Sequence, residues 1–405
     1  MARTRRSPRS VTSSTPPVRL YAALEGWRGV CACLVALFHF RQLGYDNVAV
    51  RSHIGTTGVV QNAYLFVDFF FVLSGFVIAA SYQERLTRRL VSLRDFLSLR
   101  LGRLYPLVLF SMGLMLAEEA YRFWFMTFTG ARQGFSDQGN TMVTFVVNVL
   151  LLQGLHVEAM NTWNRPSWSI SAEFATYAVF AVSWILLGRR SWIATALVIV
   201  GAPLALLRLK GHIDATYDWG VIRAMLGFAL GVVVHWGTAQ PWWQRVRYRM
   251  SEGASSAAEA IVAIAVAVFV SWVARRPASI AAPFLFAIAV AVFAAERGVL
   301  GRTLASPPMR ALGRWSYSIY MLHYPLQQVL FWVLIQLYAT GWLRIARTTP
   351  PALEISRWAA DGLNAVMLVV VIGASALAYR WVEMPWRERV RAAVARRQSR
   401  SGKGR

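Results

Sequence analysis

An imidazole, three carboxylates and three guanidiniums interrupt segments of this chain that are otherwise apolar. The first such segment reads YAALEGWRGVCACLVALFHF and carries Glu25, Arg28 and His39. Eleven steps of about 100° return to within about 20° of the start, so Arg28 and His39 share one helix face, separated along the axis by roughly 16 Å. Glu25 lies about one turn from Arg28 on nearly the same stripe. The second segment, YLFVDFFFVLSGFVIAASY, holds Asp68 and Ser74, and RPSWSISAEFATYAVF holds Glu173. In an alternating bundle His39, Asp68 and Glu173 reach comparable depth. An imidazole with a carboxylate to orient it, in a dry pocket, is the composition of a general base. Ionisable side chains at bilayer depth are costly and mark functional sites by default.

Each of these residues also has a plainer reading. Glu25 and Arg28 suit interfacial snorkelling, and His39 suits packing. Asp68 or Glu173 can pair with a structural Arg such as Arg165. Ser74-Gly75 suits close helix approach better than nucleophilic catalysis, because no Gly stands two residues before Ser74. Arg100 and Arg103, one turn apart in SLRLGRLYPLVLF, match phosphate oxygens in bidentate geometry but also bind lipid headgroups. Late in the chain, GRWSYSIYMLHYPL places Ser316 and His323 on one stripe with Tyr320 nearby, and Glu383 in YRWVEMPWRERVR reads as an inner anchor. His53, His156, His212 and His235 show no ligand spacing. No phosphate loop, paired-His metal motif or nucleophile elbow is present.

The elements that must carry these residues are membrane helices. Of 405 residues, 56% are hydrophobic and 15% charged, against about 25% charged in a soluble domain. Apolar runs fall at about 22–43, 59–81, 101–125, 168–187, 191–208, 221–238, 258–274, 278–295, 316–340 and 362–384, near the length of about 20 residues that spanning requires. An eleventh run, about 141–155, is short and reads as an outer half-helix or re-entrant piece, which protein must cover. The predicted fold is all-α: a polytopic integral membrane helical bundle of about ten transmembrane helices plus that half-helix.

Lys+Arg outnumber Asp+Glu 43 to 19, a net charge of +24, and only Lys210 and Lys403 are lysines. These cations lie between apolar runs and in the tails rather than along a soluble face, so the excess indicates loops on the positive-inside side and not nucleic-acid binding. Ten spans put both termini in the cytoplasm; counting the short run as a full span would turn the basic loops at 189–190 and 245–249 outward. Residues 1–20 read as a disordered basic cytoplasmic tail without a signal-peptide core, 21–388 as the membrane domain and 389–405 as a second basic tail. Cys31 and Cys33, two apart on a helix, point to different faces and do not suit a disulfide.

Taken in order, LEGWRG…LFHF, VDFFFVLSGFVI, RLGRLYPL, PSWSISAEFATY, GRWSYSIYMLHYPL and VEMPWR span roughly 20–388 and resemble the motif series of the membrane acyltransferase-3 family, the group of O-antigen, exopolysaccharide and Nod-factor O-acetylases. The resemblance implies that His39 is the catalytic histidine, with Glu173 and Asp68 as motif acids. It implies that Arg28, Arg100 and Arg103 face an acyl-CoA donor, and that Glu25, Ser74, Trp168, Ser169, Tyr320 and His323 support the site. The chain departs from the family's common Leu-Asp-Gly-Leu-Arg-Gly start, which is Leu-Glu-Gly-Trp-Arg-Gly at 24–29, and from a double acid, which is Glu173-Phe174 here. Many relatives carry a C-terminal esterase-like domain; its absence up to Arg405 suggests transfer directly to the final acceptor or to a separate partner.

The expectation is therefore an O-acyltransferase of the plasma (inner) membrane, with acetyl-CoA or another acyl-CoA as donor, a carbohydrate or glycoconjugate as acceptor, and no tightly bound cofactor or metal. A transporter or flippase using the same buried charges is the alternative; the chain shows none of the repeated halves common in transporters.

Overall fold

The computed structural model describes residues 21–43, 48–125, 135, 139–346 and 351–402. The expected N-terminal tail lies outside the described residues. The chain is a helical bundle, and a helix of between 12 and 33 residues occurs at each expected span. They are α1 (Ala22–Phe40), α2 (Phe66–Ile78), α3 (Leu93–Phe125), α5 (Trp168–Leu187), α6 (Ser191–Lys210), α7 (Gly220–Thr238), α8 (Glu252–Val273), α9 (Ala282–Phe293), α10 (Pro307–Ala339) and α11 (Arg357–Ala378). Between α3 and α5 stands the short α4 (Met142–Val149), the expected half-helix, closed at its start by a reciprocal Thr141–Thr144 capping box. Among the described residues seven segments are long and apolar enough to cross a membrane, one of which, 165–210, contains both α5 and α6. Their outer faces present Leu197, Val200, Ile261, Ile264, Val366 and Val369, all exposed. A wide apolar exterior of this kind has lipid as its solvent, and the protein is a multi-pass membrane protein.

Hereafter the near face is the one where α1 begins, and the far face is where it ends. The helices alternate between them. On the far face, four two-residue strands, β1 (Gln42–Leu43), β2 (Val48–Ala49), β3 (Ile345–Ala346) and β4 (Ala352–Leu353), pair in the order β1-β2-β4-β3. This small sheet ties the chain leaving α1 to the chain leaving α10, with Ala49 opposite Ala352. On the near face α12 (Met384–Gly402) is helical through most of the expected C-terminal tail; Arg397 reaches Asp95 at 3.2 Å near the start of α3.

Two small-residue crossings set the geometry of the interior. A Cβ at Gly29 would lie 2.9 Å from Gly313 N, and one at Gly313 would lie 2.1 Å from Glu25 O. The α1 and α10 backbones therefore touch, which sets Arg28 and His39 against the Ser316–His323 stripe. A Cβ at Gly75 would lie 2.1 Å from Phe228 O, and one at Gly231 would lie 1.9 Å from Val72 O, so α2 and α7 touch in the same way. Pro325 inside α10 has no N–H to bond the carbonyl one turn earlier. That carbonyl, Met321 O, accepts instead from Asn164 Nδ2 at 3.0 Å, which anchors the far-face segment 150–167 beside His323.

Candidate active site

His39 sits in the last turn of α1, among aromatic rings and in contact with a cavity of about 530 Å³ that opens to the far face. Its Nδ1 lies 2.9 Å from Val35 O, the carbonyl one turn back, and 3.2 Å from Nε2 of His323. His323 is fully buried, and its own Nδ1 is 3.2 Å from Ile319 O. Both carbonyls can only accept, so both rings carry their proton on Nδ1. His39 Nδ1–H is then shared between Val35 O and the lone pair of His323 Nε2, and the lone pair of His39 Nε2 is left to act as a base. The Phe38 ring packs edge-on against His39 with centroids 5.0 Å apart, and His323 lies against it at 4.8 Å.

Among the described residues neither expected carboxylate, Asp68 or Glu173, bonds His39. Asp68 is fully buried and takes a bidentate pair of bonds from Arg223, 2.9 Å from Nε and 2.8 Å from Nη2. Arg223 also bonds Tyr64 O and Ala215 O and lies 3.5 Å from Asp214. The α2–α7 contact at Gly231 forces this partnership. It brings Asp68 to α7, and the pair satisfies both charges away from His39. Glu173 is likewise engaged elsewhere. Ser74 Oγ donates to its Oε1 at 2.6 Å, Tyr177 donates to the same oxygen, and Ser74 and Tyr177 touch each other at 2.7 Å. Ser74 thus bonds across helices, as its small-residue setting suggested.

Glu173 lines a second, smaller cavity of about 110 Å³ toward the near face. Arg28, Arg100 and Arg103 line that same cavity, so the three predicted guanidiniums converge from α1 and α3. Arg100 bonds Tyr82 OH at 3.2 Å, packs over the Tyr82 ring at 4.9 Å and leaves its Nε buried without a partner. No carboxylate lies within ion-pairing distance of Arg28 or Arg103 among the described residues. Glu383, buried in a π-helical turn at Tyr379–Glu383, accepts from Ser318 at 3.2 Å on the same side. Such turns recur at functional sites.

Val67 and Tyr320 line both cavities and so form the partition between them. The Tyr320 phenol is 2.7 Å from Ser169 Oγ and donates to Pro166 O at 3.0 Å. Trp168 lines the far cavity with Arg223 5.5 Å from its ring. Glu25 lies at the α1–α10 contact through its backbone and outside both cavities.

Of the residues singled out from sequence, the structure brings His39 together with His323, and Arg28, Arg100 and Arg103 together with Glu173 and Ser74. Asp68 belongs to neither group. Sequence reasoning missed Arg223, although an arginine four positions into a span carries the same signal as Asp68. It missed Tyr177, one turn after Glu173, and Gln327, one turn after His323. It read Glu383 as an anchor. Among the described residues no cluster of three or more His, Cys, Asp or Glu could hold a metal ion.

Residues 21–381 match a family described as an acyltransferase domain, and the chain belongs to this membrane acyltransferase-3 family. It is an acyltransferase that transfers groups other than amino-acyl groups. Over 393 residues it is 28% identical to Acyltransferase MdmB of Streptomyces mycarofaciens, covering 91% of this chain and 89% of that protein. Over 175 residues it is 31% identical to Protein 2 in picA locus of Rhizobium radiobacter, covering 42% of this chain and 84% of that protein. No solved structure matches the chain.

Proposed function

We propose that the protein is an O-acyltransferase, with acetyl-CoA as its most suitable donor, that acylates a hydroxyl of a carbohydrate or glycoconjugate. The observation that carries the reading is the pair of cavities divided by Val67 and Tyr320, with Arg28, Arg100 and Arg103 converging in one and the bare Nε2 of His39 facing the other. A polyanionic acyl-CoA suits the near cavity, where Arg28, Arg100 and Arg103 offer charge-assisted bonds to phosphate oxygens. On this reading the near face is cytosolic, both termini lie in the cytoplasm, and the membrane is the plasma (inner) membrane.

The thioester carbonyl extends past Tyr320 toward His39. The acceptor hydroxyl enters from the far cavity and gives its proton to His39 Nε2 as its oxygen bonds the thioester carbon. The tetrahedral intermediate then collapses, the C–S bond breaks, and the CoA thiolate leaves with the proton. The imidazolium charge is spread by the His323 lone pair at 3.2 Å from Nδ1. Serving as a general base is worth about 10²–10⁴ in rate. The alternative, a transporter or flippase, moves solute without cleaving a thioester.

The test is purified protein in lipid nanodiscs with acetyl-CoA, following release of free CoA thiol. His39→Ala is expected to lower turnover by about 10²–10⁴, and Arg103→Ala to raise the KM for acetyl-CoA. Undiminished thiol release by His39→Ala removes the mechanism.

A further inference from the structure

The far cavity contains two polar groups that the described residues leave unanswered. Gln327 is 2% exposed, stands one turn after His323 on α10 and lines the cavity beside His39. Its amide nitrogen donates to two backbone carbonyls, His39 O at 3.1 Å and Gln42 O. Carbonyls only accept, so the amide cannot be flipped, and its oxygen is held away from them. That oxygen, Gln327 Oε1, is buried and has no partner among the described residues. Asn161 lines the same cavity, with Nδ2 3.3 Å from Thr216 Oγ1, and its Oδ1 is also buried and unpartnered. A buried acceptor without a donor costs about 1–3 kcal/mol, so such a group points to a ligand that completes it.

We infer that the far cavity is the acceptor site, and that it recognises a polyhydroxylated face. One hydroxyl is presented to His39 Nε2, a neighbouring hydroxyl donates to Gln327 Oε1, and a further one donates to Asn161 Oδ1. This deepens the acyl-transfer reading and rests on it. A cavity of about 530 Å³ falls in the range of about 300–1,000 Å³ that small-molecule sites occupy. A site built to bond a hydroxyl discriminates strongly against an analogue that lacks it, because its own buried group is then left unpaired. Gln327 is therefore a specificity-determining residue, acting on the hydroxyl next to the one that reacts.

The same amide also pins the end of α1, so the test must separate recognition from support. Gln327→Lys keeps N–H donors for the two carbonyls and removes the acceptor oxygen; Gln327→Met removes both. Nanodisc-embedded protein is given [14C]acetyl-CoA and a glycoconjugate and metabolite extract from a source strain lacking this protein. Incorporation of base-labile label is measured against extract concentration and against acetyl-CoA concentration. The expected result is that Lys and Met variants both need about five to ten times more extract for half-maximal labelling, the loss of one hydrogen bond, with acetyl-CoA half-saturation unchanged. A Lys variant with wild-type extract dependence, while Met is impaired, overturns the inference and assigns Gln327 a purely supporting role. If the wild type labels nothing in the extract, the acyl-transfer reading itself fails, and the inference fails with it.

Discussion

Nδ1 of His39 and Nε2 of His323 lie 3.2 Å apart across the α1–α10 contact, and each ring has its Nδ1 turned to the carbonyl one turn back. An imidazole thus stands where the sequence suggested a carboxylate. A neutral ring can accept from His39 Nδ1–H without burying a fixed negative charge, so the resting pair needs no counter-ion in a low-dielectric interior. When His39 takes a proton, the charge is shared along the pair. Arg41, Arg165 and Arg223 also line the cavity, and with Tyr320 and Tyr324 packed close they fix the field in which that charge forms.

His323→Ala is accordingly expected to lower kcat for thioester cleavage by roughly tenfold, a fraction of the about 10²–10⁴ that a positioned base supplies. The KM for acetyl-CoA stays unchanged, because Arg28, Arg100 and Arg103 lie in the other cavity. Added imidazole restores part of the rate. A raised KM with intact kcat would place His323 in donor binding instead.

Asp68 and Arg223 form a buried bidentate pair. Removing one partner strands the other charge, so Asp68→Ala or Arg223→Ala is expected to destabilise the protein by about 3–5 kcal/mol. Asp68→Leu combined with Arg223→Met recovers much of that loss. Denaturation of the purified variants measures both. A stable Asp68→Ala protein with abolished turnover would return Asp68 to the chemistry.

Glu158, in the far-face segment between α4 and α5, has its carboxyl pushed up from 4.5 to about 7 by burial, against bonds from Thr162 that favour the ionised form. A raised folded-state value favours the protonated group. The segment is therefore most stable below about 4.5 and loses that stability as pH rises through about 7. Amide protection of residues 158–164, corrected for intrinsic exchange, is expected to fall across this window, and Glu158→Gln removes the dependence. Equal protection at both ends of the window in the wild type would disprove it.

Gly231→Ala forces a methyl group into the space held by Val72 O. Backbone cannot yield as a flexible side chain can, so a loss of about 1–3 kcal/mol is expected. Gly201→Ala, at a glycine with nothing within 4 Å, serves as the control. Equal melting temperatures for the two variants would refute the close α2–α7 crossing.

The bundle was legible in sequence because lipid imposes a one-dimensional rule. A span must be apolar for about 20 residues, and its backbone must bond within itself. The positions of α1, α5 and α11 follow from that rule, as does the capped half-helix α4. The convergence of Arg28, Arg100 and Arg103 was legible in part, since helical spacing places residues of one helix on a common face. Which helix each face meets is not encoded in periodicity. Asp68 and Glu173 were expected at one depth, yet Asp68 meets Arg223 beside the far cavity, and Glu173 meets Ser74 and Tyr177 at the near one, about six residues further along α2.

By itself, the amino-acid sequence determined the all-helical membrane bundle, the positions of its expected spans and, through its ordered motifs, the acyltransferase family. The tertiary structure alone decided the partners. Glycine contacts at Gly29–Gly313 and Gly75–Phe228 set which backbones touch, and from those two contacts follow the His39–His323 pair, the diversion of Asp68 to Arg223 and the division of the interior at Tyr320. The physical reason is that local periodicity fixes direction around one helix axis, whereas pairing between axes depends on steric fit that only the assembled bundle supplies.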